Sequence, residues 1–276
     1  MRILVKIGGA QLEEPGPRAQ LCQAIARARA EGHELIVVHG GGNQIRRLGK
    51  ALGQPEQYHE GLRITDAAMA ETVLMVLGGL VNRTLTAALV QAGVQAVGLS
   101  GADGDCFRAR KLERPGVDLG YVGVIDRVQP RLVLSLLAAG YVPVLATVAP
   151  GVAGGAEAPF YNLNADHAAG PLCRALGCDA LLFLTDVPGV LNEHRQVIAR
   201  LTPAGCEQLV ATGVAKGGML PKLEAAVLAH RENPRALVKI APANEADAIV
   251  RALRGAVGTA FVQNLDQPAG LELDHG

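Results

Sequence analysis

Seven short apolar runs punctuate the chain: ILVKI (3–7), ELIVVH (34–39), QAVGL (95–99), YVPVLATV (141–148), ALLFLTD (180–186), ALVKI (236–240) and GTAFV (258–262). Each is too short for a buried helix, and most are rich in Val, Ile, Leu or Phe. Helical patterns separate most of them, over 16–31, 43–52, 164–176, 203–231 and 245–254. Continuous apolar strands alternating with helices predict a mostly parallel sheet covered on both faces. The stretch 103–127 breaks the rhythm. It alternates polar with apolar residues around Pro115-Gly116 and reads as an antiparallel hairpin excursion.

At 276 residues, 49% of them hydrophobic, the chain can build one large α/β domain or two lobes. Residues 1–170 are expected to form an N-terminal lobe and 171–262 a C-terminal lobe, with the seam inside the sheet near 160–180. The stretch 263–276, QNLDQPAGLELDHG, lacks a periodic apolar face and reads as a loose tail. Lys plus Arg equals Asp plus Glu, 26 each, which argues against nucleic acid or an acidic membrane as main partner. Five scattered cysteines without a CxxC pair read as reduced thiols. The uncharged run 132–156 approaches bilayer length, but Gly140, Pro143 and Pro150-Gly151 divide it into a helix, a strand and a loop. The opening MRILVKIGGA is too short an apolar run for a signal peptide, so a cytoplasmic location is expected.

Polar residues at strand ends carry the functional signal, because ligands of open α/β sheets bind beyond the carboxyl ends of the strands. VKIGGA puts Lys6 at the end of the first strand, before Gly8 and Gly9; VVHGGGN puts Gly40, Gly41 and Gly42 between the second strand and a helix. Such turns let backbone N–H groups approach an anion, and two at neighbouring strand ends suggest one shared phosphate pocket. Alone, each is also an ordinary tight βα turn. GLRITD holds Arg63, a residue type that grips carboxylates, before a helix capped by Thr65 or Asp66. LTDVPGVL ends an apolar strand with Thr185 and Asp186, a plausible floor for a nucleotide. GVAKGGMLPKLEAA places Lys216 and Lys222 around a helix N-terminus, where the dipole disfavours cations unless an anion is bound.

The stretch FYNLNADHAAG poses a question of its own. Three polar side chains, Asn162, Asn164 and Asp166, stand at the mouth of an apolar helix, and capping needs only one. Asp166 is suited to organise Lys6 and Lys222, leaving Asn162 or Asn164 for a substrate. Two lysines, glycine N–H groups and a magnesium ion on nucleotide phosphates meet the demands of phosphoryl transfer, which needs positioning and cationic stabilisation more than covalent chemistry. Other chemistries lack their signatures. GNQIRRLGKA (42–51) has neither Walker A spacing nor its Ser or Thr, GxGxxG is absent after the first strand, and Ser100 in GLSGADG lacks the nucleophile-elbow spacing. No His pair has metal-ligand spacing, and His39 reads as a residue packed in its turn.

Taken together, VKIGGA, VVHGGGN, GLRITD, VNRTL, GLSGADGD, DLGYVG, GYVPVL, NLNADHAAG, LTDVPGVL and GGMLPK, in this order over residues 3–262, resemble the amino-acid kinase family. Within it, the chain is similar to the branch that phosphorylates N-acetyl-L-glutamate in arginine biosynthesis. The resemblance implies a three-layer α/β/α sandwich and transfer of phosphate from ATP, with Mg2+ on its phosphates, to a side-chain carboxylate. It implies that Lys6 and Lys222 stabilise the transition state and that Asp166 orients them. Gly8, Gly9, Gly41 and Gly42 would contact the moving phosphoryl group and its acceptor, with Arg63 and Asn162 on the substrate's α-carboxylate. Thr185, Asp186, Val187, Pro188 and Gly189, with Val214, Ala215 and Lys216, would line the nucleotide site. A homodimer through the N-lobe is implied.

Departures from the pattern are Ala102 and Arg83, where lysine is common in relatives, and the segment ALVKIAPANEADAIVRAL, which lacks an Asp-Gly-Arg element. With the chain opening directly on its first strand, these predict an arginine-insensitive dimer. Competing readings are a kinase for the one-methylene-longer aminoadipate derivative, a non-catalytic sensor of the same fold, and an NAD-type oxidoreductase. A methylene is worth only about 1–3 kcal/mol of discrimination. A sensor would be expected to lose Lys6, Asp166 or Lys222, and the oxidoreductase lacks its fingerprint.

Overall fold

Short β-branched runs flanked by glycine and polar turns form the central strands, as the sequence predicts. In the computed structural model, which describes residues 1–153 and 159–271, the eight strands of the main sheet are β1 (Arg2–Ile7), β2 (Glu34–His39), β5 (Ala96–Leu99), β8 (Val142–Ala146), β11 (Ala180–Thr185), β12 (Arg200–Leu201), β13 (Leu237–Pro242) and β14 (Thr259–Phe261). Their order is β12-β14-β13-β11-β1-β2-β8-β5, and every pairing is parallel except β13 with β14. A second sheet, β6-β7-β10-β9, is built from β6 (Phe107–Lys111), β7 (Val122–Val128), β9 (Val148–Pro150) and β10 (Phe160–Leu163); β3 (Tyr58–His59) and β4 (Leu62–Arg63) form a small hairpin.

The helices are α1 (Pro15–Ala30), α2 (Gly42–Ala51), α3 (Ala67–Val73), α4 (Asn82–Gln91), α5 (Arg131–Ala138), α6 (Ala165–Ala175), α7 (Pro203–Ala211), α8 (Met219–Glu232) and α9 (Ala248–Leu253). Alternate residues of β1 feed two separate cores, as strand periodicity demands. Ile3, Val5 and Ile7 pack with α1, α4 and α9 residues such as Ile25, Leu85 and Ile249. Leu4 packs on the opposite face with Leu172 of α6 and Leu223 of α8. Helices thus cover both faces, giving the α/β/α sandwich. Each core draws on residues from both halves of the chain, and the sheet passes without a break from β1 to β11.

The hairpin excursion is present as the antiparallel pair β6–β7. Three expectations need correction. YVPVLATV is two strands: β8 stays in the main sheet and β9 pairs with β10, so Thr147 marks the crossing between sheets. The segment 203–231 is two helices, separated around Gly213 at φ 68°. The helix expected after Thr65 or Asp66 is present, with Asp66 as its cap; it runs on to Gln91, joining α3 and α4 through a π-helical stretch, Leu74–Val81. By length and composition this is the one span among the described residues that could cross a bilayer, with mean hydropathy 1.7; in the fold its Val73, Leu77, Leu85 and Leu89 are core residues.

The tail is the third correction: residues 263–268 stay exposed, but 269–271 are tied to the fold. Lys239, wholly buried on β13, donates to the carbonyls of Ala252 (3.0 Å) and Ala269 (2.8 Å), and the Leu271 N–H bonds the Leu253 carbonyl. A buried ammonium needs acceptors, and the tail supplies one. Residues 272–276 of the expected loose tail lie outside the described residues.

Candidate active site

Parallel pairing of β1 with β2 sets Ile7 opposite His39, so the two glycine turns leave the sheet side by side. A Cβ on Gly9 would lie 3.1 Å from the Gly42 nitrogen and 3.2 Å from the Gly41 Cα. Only glycines let the turns close on each other this way. Helix α2 starts at Gly42 with no side chain capping it, leaving its first N–H groups for another acceptor.

Beside these turns lies the charged centre. Lys6 follows Leu4 on the same face of β1, under α6 and α8, and its side chain is 4% exposed. Asn164 caps α6, its Oδ1 accepting from the N–H groups of Asp166 (2.9 Å) and His167 (3.2 Å). That cap holds Asp166 in the first turn. Helices α6 and α8 pack closely, since a Cβ on Gly170 would stand 3.2 Å from the Ala229 Cα. The result is a lysine on each side of one carboxylate: Lys6 Nζ is 2.6 Å from Asp166 Oδ1 and Lys222 Nζ is 3.6 Å from Oδ2. Burial lowers the pKa of Lys6, with Asp166 pulling it back up. Burial alone would raise Asp166, but the two lysine charges outweigh it and hold the carboxyl below its usual range. Two cations around one anion leave a surplus positive charge in a largely desolvated place, which is where an anionic ligand is stabilised most.

Across the glycine turns is a cavity of about 160 Å3, bordered by Gly40, Gly41, Gly42, Tyr58, Arg63 and Asn162. Arg63 is buried. Its Nη2 donates to the Gly42 carbonyl at 3.1 Å and to the Tyr58 hydroxyl, and lies 3.2 Å from Glu56 Oε1; the guanidinium sits 4.8 Å from the Tyr58 ring centre. Its Nη1 is buried with no acceptor, a desolvated donor at a cavity wall. Hydrogen bonds from Tyr58 and Arg46 bring Glu56 down to about 2. Asn162 donates to Thr65 Oγ1 at 3.2 Å.

The remaining residues fall at the C-terminal end of β11. Thr185 donates to Asp186, and Asp186 and Pro188 border a cavity of about 380 Å3 together with Pro242, Asn244 and Gly258. Gly189 is confined by Thr259 Oγ1, which would lie 2.9 Å from an added Cβ. Val214, Ala215 and Lys216 do not border that cavity. They form the approach to α8, where the Lys216 carbonyl accepts from Met219 and buried Ala215 is tied to Leu209. Among the described residues no group of three His, Cys, Asp or Glu could hold a metal. Burial pushes Cys22, Cys106 and Cys206 up to about 11, so none is a ready nucleophile.

The three polar side chains of FYNLNADHAAG therefore divide their roles: Asn164 caps, Asp166 pairs with the lysines, and Asn162 borders the cavity beside Arg63. Sequence reading left Asn164 as a substrate candidate, and it missed Tyr58 and Glu56 around Arg63. A tyrosine just before GLR, in a chain with only four, was the available signal.

Fold and site define an α/β phosphotransferase with a Lys–Asp–Lys centre between two glycine turns. The profile of the amino acid kinase family matches residues 1–239. The acetylglutamate kinase of Koribacter versatilis is 44% identical over 250 residues, covering 90% of this chain and 93% of its own. That of Solibacter usitatus is 42% identical over 263 residues, covering 95% and 99%. Among solved structures, N-acetylglutamate synthase from Neisseria gonorrhoeae, complexed with coenzyme A and N-acetyl-glutamate, shares the fold with a TM-score of 0.82 at 22% identity, over 95% of this chain and 59% of that one. The chain belongs to the amino acid kinase family.

Proposed function

We infer that this chain transfers the γ-phosphoryl group of ATP to the side-chain carboxylate of N-acetyl-L-glutamate, giving the acyl phosphate of arginine biosynthesis. The observation that carries this reading is the pairing of a cationic centre, Lys6–Asp166–Lys222, with a separate cavity that has its own anion receptor in Arg63. A kinase acting on a dicarboxylic acid needs both: one site for the carboxylate that stays and one for the carboxylate that is phosphorylated. The acceptor oxygen attacks phosphorus, the bond to the ADP oxygen breaks, and negative charge spreads over the transferring group. Lys6 and Lys222 stabilise that charge, Asp166 keeps the two cations from separating, and the glycine N–H groups bind the oxygens. Asp166 is committed to two lysines, so Mg2+ would be held by the nucleotide phosphates, where it neutralises charge on their oxygens. The acetylglutamate kinase relatives above support the choice of acceptor.

The test is ATP- and Mg-dependent acyl-phosphate formation, trapped as the hydroxamate, with N-acetylglutamate, glutamate and N-acetylaminoadipate compared. Turnover strongly favouring N-acetylglutamate is expected. Equal or better turnover of the longer acid would move the assignment to lysine biosynthesis, and no turnover would leave a sensor. A cytoplasmic homodimer insensitive to arginine belongs to the same proposal. Exposed Met75, Leu80 and Val90 on the long helix 67–91 support a second copy as partner, and a monomeric mass in solution would remove it.

A further inference from the structure

Beneath the Gly40–Gly42 turn lies a polar pair that the proposed chemistry does not use. His39 ends β2 and is wholly buried. Its Nδ1 lies 3.1 Å from the Gly40 carbonyl oxygen, and its Nε2 lies 3.0 Å from Asn82 Nδ2. Asn82, also wholly buried, begins α4 immediately after the π-helical stretch, and its Nδ2 also donates to the Val144 carbonyl at 2.8 Å. The Thr147 hydroxyl holds the His39 carbonyl at 3.1 Å.

These contacts permit one arrangement of protons. Only an amide NH2 can face the Val144 carbonyl, so the same NH2 donates to His39 Nε2. Nε2 is then the bare nitrogen and Nδ1 carries the proton, which it donates to the Gly40 carbonyl. Burial lowers His39 to about 4, keeping the ring neutral and this tautomer in place. A trans peptide points its C=O and N–H in opposite directions. Holding the Gly40 carbonyl inward against the ring therefore turns the Gly41 N–H outward, toward the cavity that Gly41 borders. Among the described residues that N–H has no acceptor. The turn is clamped from its other side too: a Cβ on Gly41 would lie 2.8 Å from Leu77 Cδ2 and 3.0 Å from Val81 Cγ2 of the π-helical stretch. The pair is also built for. An added Cβ on Gly98 would fall 2.0 Å from Asn82 Oδ1, so only glycine admits the Asn82 side chain there.

We propose that His39 and Asn82 are positioning residues for phosphoryl transfer: the Asn82-oriented His39 ring locks the Gly40–Gly41 peptide so that the Gly41 N–H serves as a fixed donor to the transferring group. This rests on the kinase reading above. Neither side chain touches substrate; both act through the peptide.

The test compares three proteins: the parent, His39→Leu and His39→Asn. Asparagine can place an amide NH2 near the Nδ1 position, whereas leucine fills the space without a donor. Removing one preorganised donor costs roughly 10²–10³-fold in kcat, and unlocking a donor that remains in place is expected to cost about 10- to 100-fold. His39→Leu is expected to lower kcat by about that factor while KM for ATP moves less than about threefold, and His39→Asn to recover most of it. Equal kcat in His39→Leu and the parent overturns the proposal, as does an asparagine variant no faster than the leucine variant. If His39→Leu does not fold, the parent decides. Its Gly41 amide proton and nitrogen resonances should shift on adding ADP, aluminium fluoride, Mg2+ and N-acetylglutamate together, and unmoved resonances overturn the proposal. Failure of the parent to turn over N-acetylglutamate would instead strike the kinase reading, so the two failures are distinguishable.

Discussion

Lys222 differs from Lys6 in a way that sets its expected role. It is 23% exposed, against 4% for Lys6, and lies a longer 3.6 Å from Asp166. The weaker tie makes it the cation freer to follow charge as it develops. Lys222→Ala should lower kcat by about 100-fold or more while KM for the acceptor changes little, because the lost charge acts in the transition state. An unchanged kcat in steady-state assays would remove Lys222 from the mechanism. His39 makes a second residue-scale prediction, this one on stability. Its pKa falls from 6.5 to about 4 on folding because burial disfavours the charged ring. Between those values the unfolded chain binds a proton that the folded chain refuses, so stability rises with pH across that window and is lost as pH falls from about 6.5 toward 4. From pH 7 to pH 5 this group alone removes about 2 kcal/mol. His33 and His230, also lowered by burial, act in the same direction. Urea unfolding at the two pH values should therefore show a loss about 2 kcal/mol smaller in His39→Asn than in the parent. Equal losses would mean His39 titrates normally in the fold.

Elements matter here because each one carries a single functional group to the centre. Helix α6 delivers Asp166 from its first turn, and Asn164 fixes where that turn begins. Asn164→Ala should cost about 1 kcal/mol of stability through the lost cap, and should also lower kcat because Asp166 loses its register against the lysines. A thermal shift with unchanged kcat would show that packing on α8 alone places Asp166. The legible parts of this molecule are those where one local rule suffices. Apolar runs gave the strands, and glycines with polar residues at their ends gave both turns, Lys6, Asp166, Arg63 and Lys222. The illegible parts depend on two elements at once. The start of the helix 67–91 is legible in its Asp66 cap, but its length is not, because it is apolar almost all round through LMVLGGLV and its period shows no face. The split of YVPVLATV at Thr147 is set by β10 claiming β9, a pairing between distant segments. Tyr58 and Glu56 become recognisable only once the β3–β4 hairpin folds them over Arg63.

On the scale of the whole molecule, the sheet and both cores are shared by the two halves of the chain, so distant segments stabilise one another. The tail, tied down at 269–271, is the sharpest case. Lys239 sits in the middle of the β11–β13–β14 region with 0% exposure, and burial brings its amine down to about 8. Near neutral pH it is still charged, and one of its two acceptors is the carbonyl of Ala269. Close approach of this segment depends on glycine: a Cβ on Gly270 would fall 2.4 Å from the Gly255 nitrogen. Removing residues 263–276 deletes that acceptor and leaves a buried ammonium with the Ala252 carbonyl alone. A hydrogen bond to a charged group is worth about 1.5–3 kcal/mol, and stranding the charge adds to that, so truncation should cost about 3 kcal/mol. If the charge is the reason, Lys239→Met should blunt the loss, since a thioether of similar length asks for no acceptor. Chemical unfolding of the four proteins — parent, truncated, Lys239→Met and both together — closes a double-mutant cycle. Truncation should cost less than half as much in the Met background. An equal cost in both backgrounds would mean that the segment stabilises the fold by packing, with Lys239 a bystander.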